Sequence, residues 1–197
     1  VSTTIESSIQ VYTDIDDSWT GQSDDTNWDI TTSGSTSIFS LSAVNAATYS
    51  ENKMDQALWG EVILASRPSN ISILTTESGK ISTVRSAFTT TGKLSGTYAD
   101  WTSGGVVGIA HDLGKVKGNR AATYAVGYVR EEAINYLGSA YTGYYRAKYP
   151  ATLDAVTYFL DDFDAAETES LAMDQDLATK SILRHHCIIS STSLWCD

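Results

Sequence analysis

The chain has 197 residues, 42% of them hydrophobic and 19% charged, with 24 Asp and Glu against 13 Lys and Arg for a formal net charge of −11. That size and balance suit a globular protein with a full core and exclude a disordered chain. The acidic surface repels phosphate backbones and argues against nucleic acid, and no apolar run reaches the roughly 18–20 residues of a membrane-spanning helix. In chain order, Ser2 to Thr13 alternates apolar and polar residues through Ile5, Ile9 and Val11. The pattern predicts a strand with one buried face. Asp14, Asp16 and Ser18 then open an acidic stretch that continues through Asp24, Asp25 and Asp29. Their spacing is that of a calcium loop, but the Gly and closing Glu of such a loop are missing, so the stretch reads as a solvated strand end.

Further strands are expected over Ser35–Val44, Leu58–Ala65, Ile71–Thr76, Val106–Ala110 and Ala122–Val129, with a loop from Gly114 to Arg120. Residues 80–95 read as a short helix or an irregular loop, because Ile81, Val84 and Phe88 have helical spacing until Thr89-Thr90-Thr91-Gly92 breaks it. No strand–helix–strand rhythm occurs, so an antiparallel sandwich is expected rather than a parallel sheet. Tyr136 to Tyr149 is rich in Tyr and Gly. Tyr141, Tyr144, Tyr145 and Tyr149 either cover one edge of the sheet or form an exposed row that binds sugar or protein, and Trp19, one of five scattered tryptophans, is either a core residue or a separate stacking platform.

All 14 glycines precede residue 144, and neither Gly nor Pro occurs from Ala151 onward. The chain therefore divides into a turn-rich part and a helical part. Pro150 suits a helix start, and Leu153, Val156, Leu160 and Phe163 form one apolar stripe. One long amphipathic helix is expected over 150–186, following a β-domain over 1–149 and preceding a tail over 187–197. A helix so long requires a partner, so a homodimer through it is a further expectation.

The chemistry-bearing residues are sparse. His111 beside Asp112 reads as a core histidine, because neighbours on a strand point to opposite faces. No nucleophile elbow, zinc-protease motif or phosphate-binding loop occurs. No catalytic residue, metal ligand or cofactor is assigned. A glycosidase could draw on Asp residues near 14–29 or 161–164, but sequence fixes no separation between them. Asn70-Ile71-Ser72 is an N-glycosylation sequon. Cys187 and Cys196 could close a small loop in an oxidising compartment. With abundant Ser and Thr and scarce Lys, these features point to a secreted protein. The start at Val1 is expected to reflect a removed leader or a longer parent polypeptide.

Several segments, in order, resemble the secreted fungal glutaminases of the glutaminase A type. They are Gln10-Val11-Tyr12-Thr13-Asp14-Ile15 with Trp19, Asp55-Gln56-Ala57-Leu58-Trp59-Gly60, and Gly92-Lys93-Leu94. Gly108-Ile109-Ala110-His111-Asp112-Leu113-Gly114 follows, then Leu153-Asp154-Ala155 with Tyr158, Phe159 and Asp161. The resemblance covers roughly residues 8 to 180. It implies a mainly β fold, a supersandwich-like antiparallel β-sandwich with a linker-type helix. In that family glutamine hydrolysis is associated with a separate helical part, which this chain does not match, and no catalytic residue carries over. The tail from Arg184 to Asp197 departs from the family. The expectation is a non-catalytic, extracellular, glutaminase-like β-domain that binds a glycan or a cell-surface protein. The alternatives are residual amidohydrolase or glycosidase activity, or a structural half that requires a helical partner.

Overall fold

The computed structural model describes residues 1–17, 26–43, 60–70, 72–101, 104–130 and 134–189. It divides into two compact units, Val1–Leu160 and Asp161–Asp197. The first unit is built on two antiparallel sheets. One contains β1 (Ser2–Asp16), β6 (Gly105–Asn119) and β5 (Ile73–Lys80), in the order β1-β6-β5. The other contains β2 (Thr26–Ser33), β3 (Thr36–Ala43), β4 (Gly60–Ser66) and β7 (Tyr124–Arg130), in the order β2-β3-β4-β7. A small hairpin of β8 (Ile134–Tyr136) and β9 (Ser139–Tyr141) follows.

Side-chain alternation sorts the residues into layers. Phe39, Leu41 and Leu64 from the four-stranded sheet meet Val107 and Ile109 from the three-stranded sheet. The alternate residues face outward and are covered by helices. Helix α1 (Ile81–Thr91) sets Val84, Ile81 and Phe88 against Val106, Ala110 and Tyr12. Helix α3 (Thr152–Asp161) sets Leu153, Val156 and Leu160 against Ile38, Ile63, Ala65, Ala125 and Val129. The order of layers is helix, sheet, sheet, helix. The expected antiparallel β-sandwich with helix is therefore the fold.

Within the β-region the structure corrects the local picture in two places and decides a third. Residues 114–119 continue β6 rather than forming a loop, because β1 keeps pairing out to Ser2↔Asn119. Irregularities between Thr3 and Ser7 and between Ser8 and Gln10 absorb the register shifts. Strand β2 is absent from the sequence reading because its outward positions carry Asp and Thr. Its inward Trp28 and Ile30 pack on the core, and Gly34 at φ 58° supplies the tight turn into β3. Residues 81–91 settle as helix, and Gly92 at φ 70° ends it by giving its N–H to the Phe88 carbonyl at 2.7 Å.

The single helix expected over 150–186 is two helices, α3 and α4 (Phe163–Ile189), preceded by the short α2 (Tyr145–Lys148). The Asp162 carbonyl accepts the Ala166 N–H at 2.9 Å, so Asp162 occupies the N-cap position of α4, which aspartate favours. Three of the four stripe residues belong to α3 and seat it on the sheet. In the second unit, residues 164–180 of α4 are exposed, including Leu171, Met173 and Leu177. Asp176 and Lys180 form an ion pair one turn apart at 2.6 Å.

Leu160→Ala should destabilise the first unit by about 2–5 kcal/mol, because it leaves a cavity under α3. Leu171→Ala should stay within about 0.5 kcal/mol of wild type, because it removes an exposed side chain. Thermal and denaturant unfolding of both variants checks the contrast.

Candidate functional site

The outer face of the four-stranded sheet is only partly covered by α3. Beyond the first turn of the helix lies a groove of about 380 Å³. Its floor carries Asp29 and Thr31 of β2, Ser40 of β3 and Glu61 of β4. Asp29 stands opposite Ser40 in the ladder, and Glu61 precedes Ser40's other partner, Ile63, by two residues, so all share one face. Arg146, Pro150, Ala151, Thr152 and Leu153 form the wall. The Thr152 hydroxyl donates to Glu61 Oε2 at 2.5 Å, which ties the start of α3 to the floor. Asp29 and Thr31 are exposed, whereas Glu61, Ser40 and Arg146 are half-buried. The groove thus mixes two carboxylates, three hydroxyls, a guanidinium and the apolar surface of Ile38, Pro150 and Leu153.

A second polar centre is closed rather than open. His111 is fully buried between the sheets. Its Nε2 lies 2.7 Å from Ser66 Oγ, and its Nδ1 lies 3.2 Å from Ser72 Oγ. The Ser66 hydroxyl donates to the Thr123 carbonyl at 2.5 Å. Having spent its proton there, Ser66 accepts from His111, so the proton of the neutral ring sits on Nε2. Nδ1 then accepts from the Ser72 hydroxyl. That oxygen in turn accepts the Ser69 N–H at 3.0 Å and lies 3.1 Å from Ser69 Oγ. Burial pushes the His111 pKa below its ordinary value of 6.5. A catalytic base would take the serine proton. Here the imidazole gives a proton, and Ser66 is fully buried, so the pair is a core contact.

A third centre lies on the outer face of the other sheet. Arg85 of α1 grips Asp14 with two bonds, Nε to Oδ2 at 2.7 Å and a terminal nitrogen to Oδ1 at 3.0 Å. The Tyr12 hydroxyl donates to Asp14 Oδ2 at 2.5 Å, and its ring stacks on Phe88 with centroids 4.8 Å apart. Burial pushes the Asp14 carboxyl up. The hydrogen bonds from Arg85 and Tyr12 and the Arg85 charge outweigh it and hold the group below its ordinary 3.8. Burial, then the bond and charge of Asp14, push the Tyr12 phenol up. The arrangement pins α1 to β1. Asp14 and Asp16 both lie within β1, and Ser18 lies outside the described residues.

The family model described as Domain of unknown function (DUF5127) matches residues 1–180. The chain belongs to the DUF5127 family. The match spans the sandwich, α3 and most of α4. No curated protein and no solved structure matches the chain.

Within this DUF5127 fold the residues singled out from sequence scatter. Tyr141 and Tyr144 are exposed, at 52% and 94%. Tyr136, 46% exposed, shares a face with Tyr141, because Ile134 pairs with Tyr141 and lies two residues before Tyr136. Tyr145 covers the end of β7, accepting the Arg130 N–H at 2.8 Å and donating to the Arg130 carbonyl at 3.2 Å. Trp19 and Cys196 lie outside the described residues, as does the side chain of Cys187. Asn70 is exposed on the segment between β4 and β5. Trp28 and Trp101 stack at 5.7 Å against the inter-sheet core. Sequence reasoning missed Glu61, Arg146 and Thr152. The available signal was a lone carboxylate opening the apolar run Glu61-Val62-Ile63-Leu64-Ala65.

Arg85→Ala should raise the Asp14 pKa and loosen α1. The Asp14 contribution to stability is present above the unfolded value near 3.8 and is lost as pH falls through the lower folded value. Carboxyl carbon NMR titration of wild type and variant measures the shift.

Proposed function

We propose that this chain is a non-catalytic, extracellular, glutaminase-like β-domain that acts by binding a glycan in the groove between the four-stranded sheet and the start of α3. The observation that carries the reading is the chemistry of the groove lining. A sugar hydroxyl both donates and accepts. Asp29 and Glu61 take its protons, and Arg146, Thr31 and Ser40 supply donors. Ile38, Pro150 and Leu153 offer the apolar surface that suits the C–H face of a ring. The two carboxylates disfavour an anionic ligand, and the guanidinium disfavours a metal ion. The volume falls at the small end of the about 300–1,000 Å³ typical of ligand pockets. Tyr136 and Tyr141 give the same molecule a separate exposed aromatic face, which supports contact with a longer glycan or with a cell-surface protein.

Neutral oligosaccharides should bind with saturable heats in calorimetry. Asp29→Asn and Glu61→Gln should each weaken binding about tenfold, the effect of losing one charge-assisted hydrogen bond of about 1.5–3 kcal/mol. A screen of neutral glycans without binding, or ammonia release from glutamine at an enzyme-like rate, would remove the reading.

The exposure of α4 over 164–180 favours a second reading, a structural half that docks a helical partner or a second copy. Sedimentation equilibrium of the full chain should then show a dimer or, with the partner present, a complex. A monomer that binds no helical partner counts against it.

A further inference from the structure

We propose that His111 is a proton-operated latch: in its neutral form it holds the crossover from β4 to β5 closed between the two sheets, and protonation releases that crossover together with its grip on α3.

Strand β4 belongs to the four-stranded sheet and β5 to the three-stranded sheet, so the chain crosses from one to the other between Ser66 and Ser72. His111 belongs to β6 and touches both ends of this crossover, Ser66 through Nε2 and Ser72 through Nδ1. The crossover also holds a helix, because the Arg67 guanidinium donates to the Leu160 carbonyl at the C-terminal end of α3. One imidazole therefore joins β6, β4, the crossover and, through Arg67, α3.

The hydrogen bonds run in one direction. Ser72 donates to His111, His111 to Ser66, and Ser66 to the Thr123 carbonyl. A second ring proton, on Nδ1, meets the hydroxyl proton of Ser72. The Ser72 hydroxyl must turn away, and the oxygen that already accepts the Ser69 N–H must accept again. The hydroxyls can rearrange, but the charge has no partner. The Tyr124 ring meets the imidazole edge-on at 5.2 Å, and Val11 and Leu74 flank it in the neighbouring strands. The nearest carboxylate in sequence, Asp112, alternates to the other face, where it bonds Gln10 and lies 4.0 Å from Lys93. The buried Glu77 of β5 accepts the Ser95 N–H. Arg67 of the crossover brings like charge. Among the described residues no anion faces the ring, so protonation puts uncompensated charge in the core.

The sign follows. The folded chain binds the His111 proton less readily than the unfolded chain. The stabilisation is fully present above the ordinary value of 6.5 and is lost as pH falls below it. The predicted response thus begins before carboxylates protonate at roughly pH 4.

The test uses the full chain at about pH 7.5 and about pH 5, a window in which histidine titrates and most carboxylates do not. Nitrogen NMR of His111 should show the neutral ring protonated on Nε2. Hydrogen-exchange protection, corrected for intrinsic rates, should fall several-fold at Arg67, Ser69, Asn70 and Ser72 and in α3 on acidification, while β3 stays protected. His111→Gln, whose amide keeps one donor and one acceptor without titrating, should abolish that fall. A double variant with His185→Gln and His186→Gln should retain it. If His111→Gln does not fold, the wild-type NMR titration decides alone. A ring protonated on Nδ1, titration at or above the ordinary value, or an equal loss of protection in His111→Gln would overturn the proposal.

Discussion

Phe39, Leu41 and Leu64 lie against Val107 and Ile109, and that apolar contact between two sheets sets the terms for the rest of the first unit. Each of these side chains is fully buried. Burial of one such side chain is worth about 1.5–3 kcal/mol. With the inner positions assigned to the contact, strand geometry assigns the alternate positions to the outer faces. Those faces are apolar where Ile38, Ile63 and Ala65 stand, and they must be covered. Helix α3 covers that part, α1 covers the corresponding part of the other sheet, and the polar remainder of the outer face becomes the groove.

The crossover between the sheets creates the main polar problem. Chain passing from one sheet to the other has backbone and hydroxyl groups that lie close to the core. A buried polar group left without a partner costs about 1–3 kcal/mol. Ser66, His111 and Ser72 solve this jointly, each donating once along the chain toward the Thr123 carbonyl. The same closure that stabilises the crossover makes the Ser–His pair useless for nucleophilic chemistry. Arg85, Asp14 and Tyr12 do comparable work at the surface, fixing α1 to the end of β1.

The groove differs from both. Asp29 reaches toward solvent and the half-buried Glu61 toward Thr152, from strands whose opposite faces are locked in the core. Thr152 links that floor to α3 through Glu61. A ligand there would touch the sheet and the start of the helix together. This is the physical basis for the binding role we propose for this DUF5127 chain.

Much of this was legible in the linear chain. The alternation in residues 2–13 and 35–44, the apolar run to Ala65, and the shift from Gly-rich to Gly-free sequence after residue 143 give strands followed by helix. The stripe of Leu153, Val156 and Leu160 identifies the buried face of α3. Those features are local, because period and turn chemistry act over a few residues. The sequence could not show that β6 runs to Asn119, that the helical segment breaks at Asp162, or that β2 exists at all. The first and the last depend on a partner distant in sequence: β1 for β6, and β3 with the core for Trp28 and Ile30.

The site was less legible than the fold. The tyrosines of 141–145 stood out by composition, yet Tyr145 caps a strand and the groove is made of Asp29, Glu61, Arg146 and Thr152, which carry no shared motif. They meet only because three strands align in register and α3 begins beside them. Sequence by itself determined the alternation, the change from turn-rich to helical chain and the class of fold, because these are set by chemistry between near neighbours. The tertiary structure decided which histidine contacts were closed, which carboxylate faced solvent, and where the polar groove lies, because those depend on distances between residues far apart in the chain.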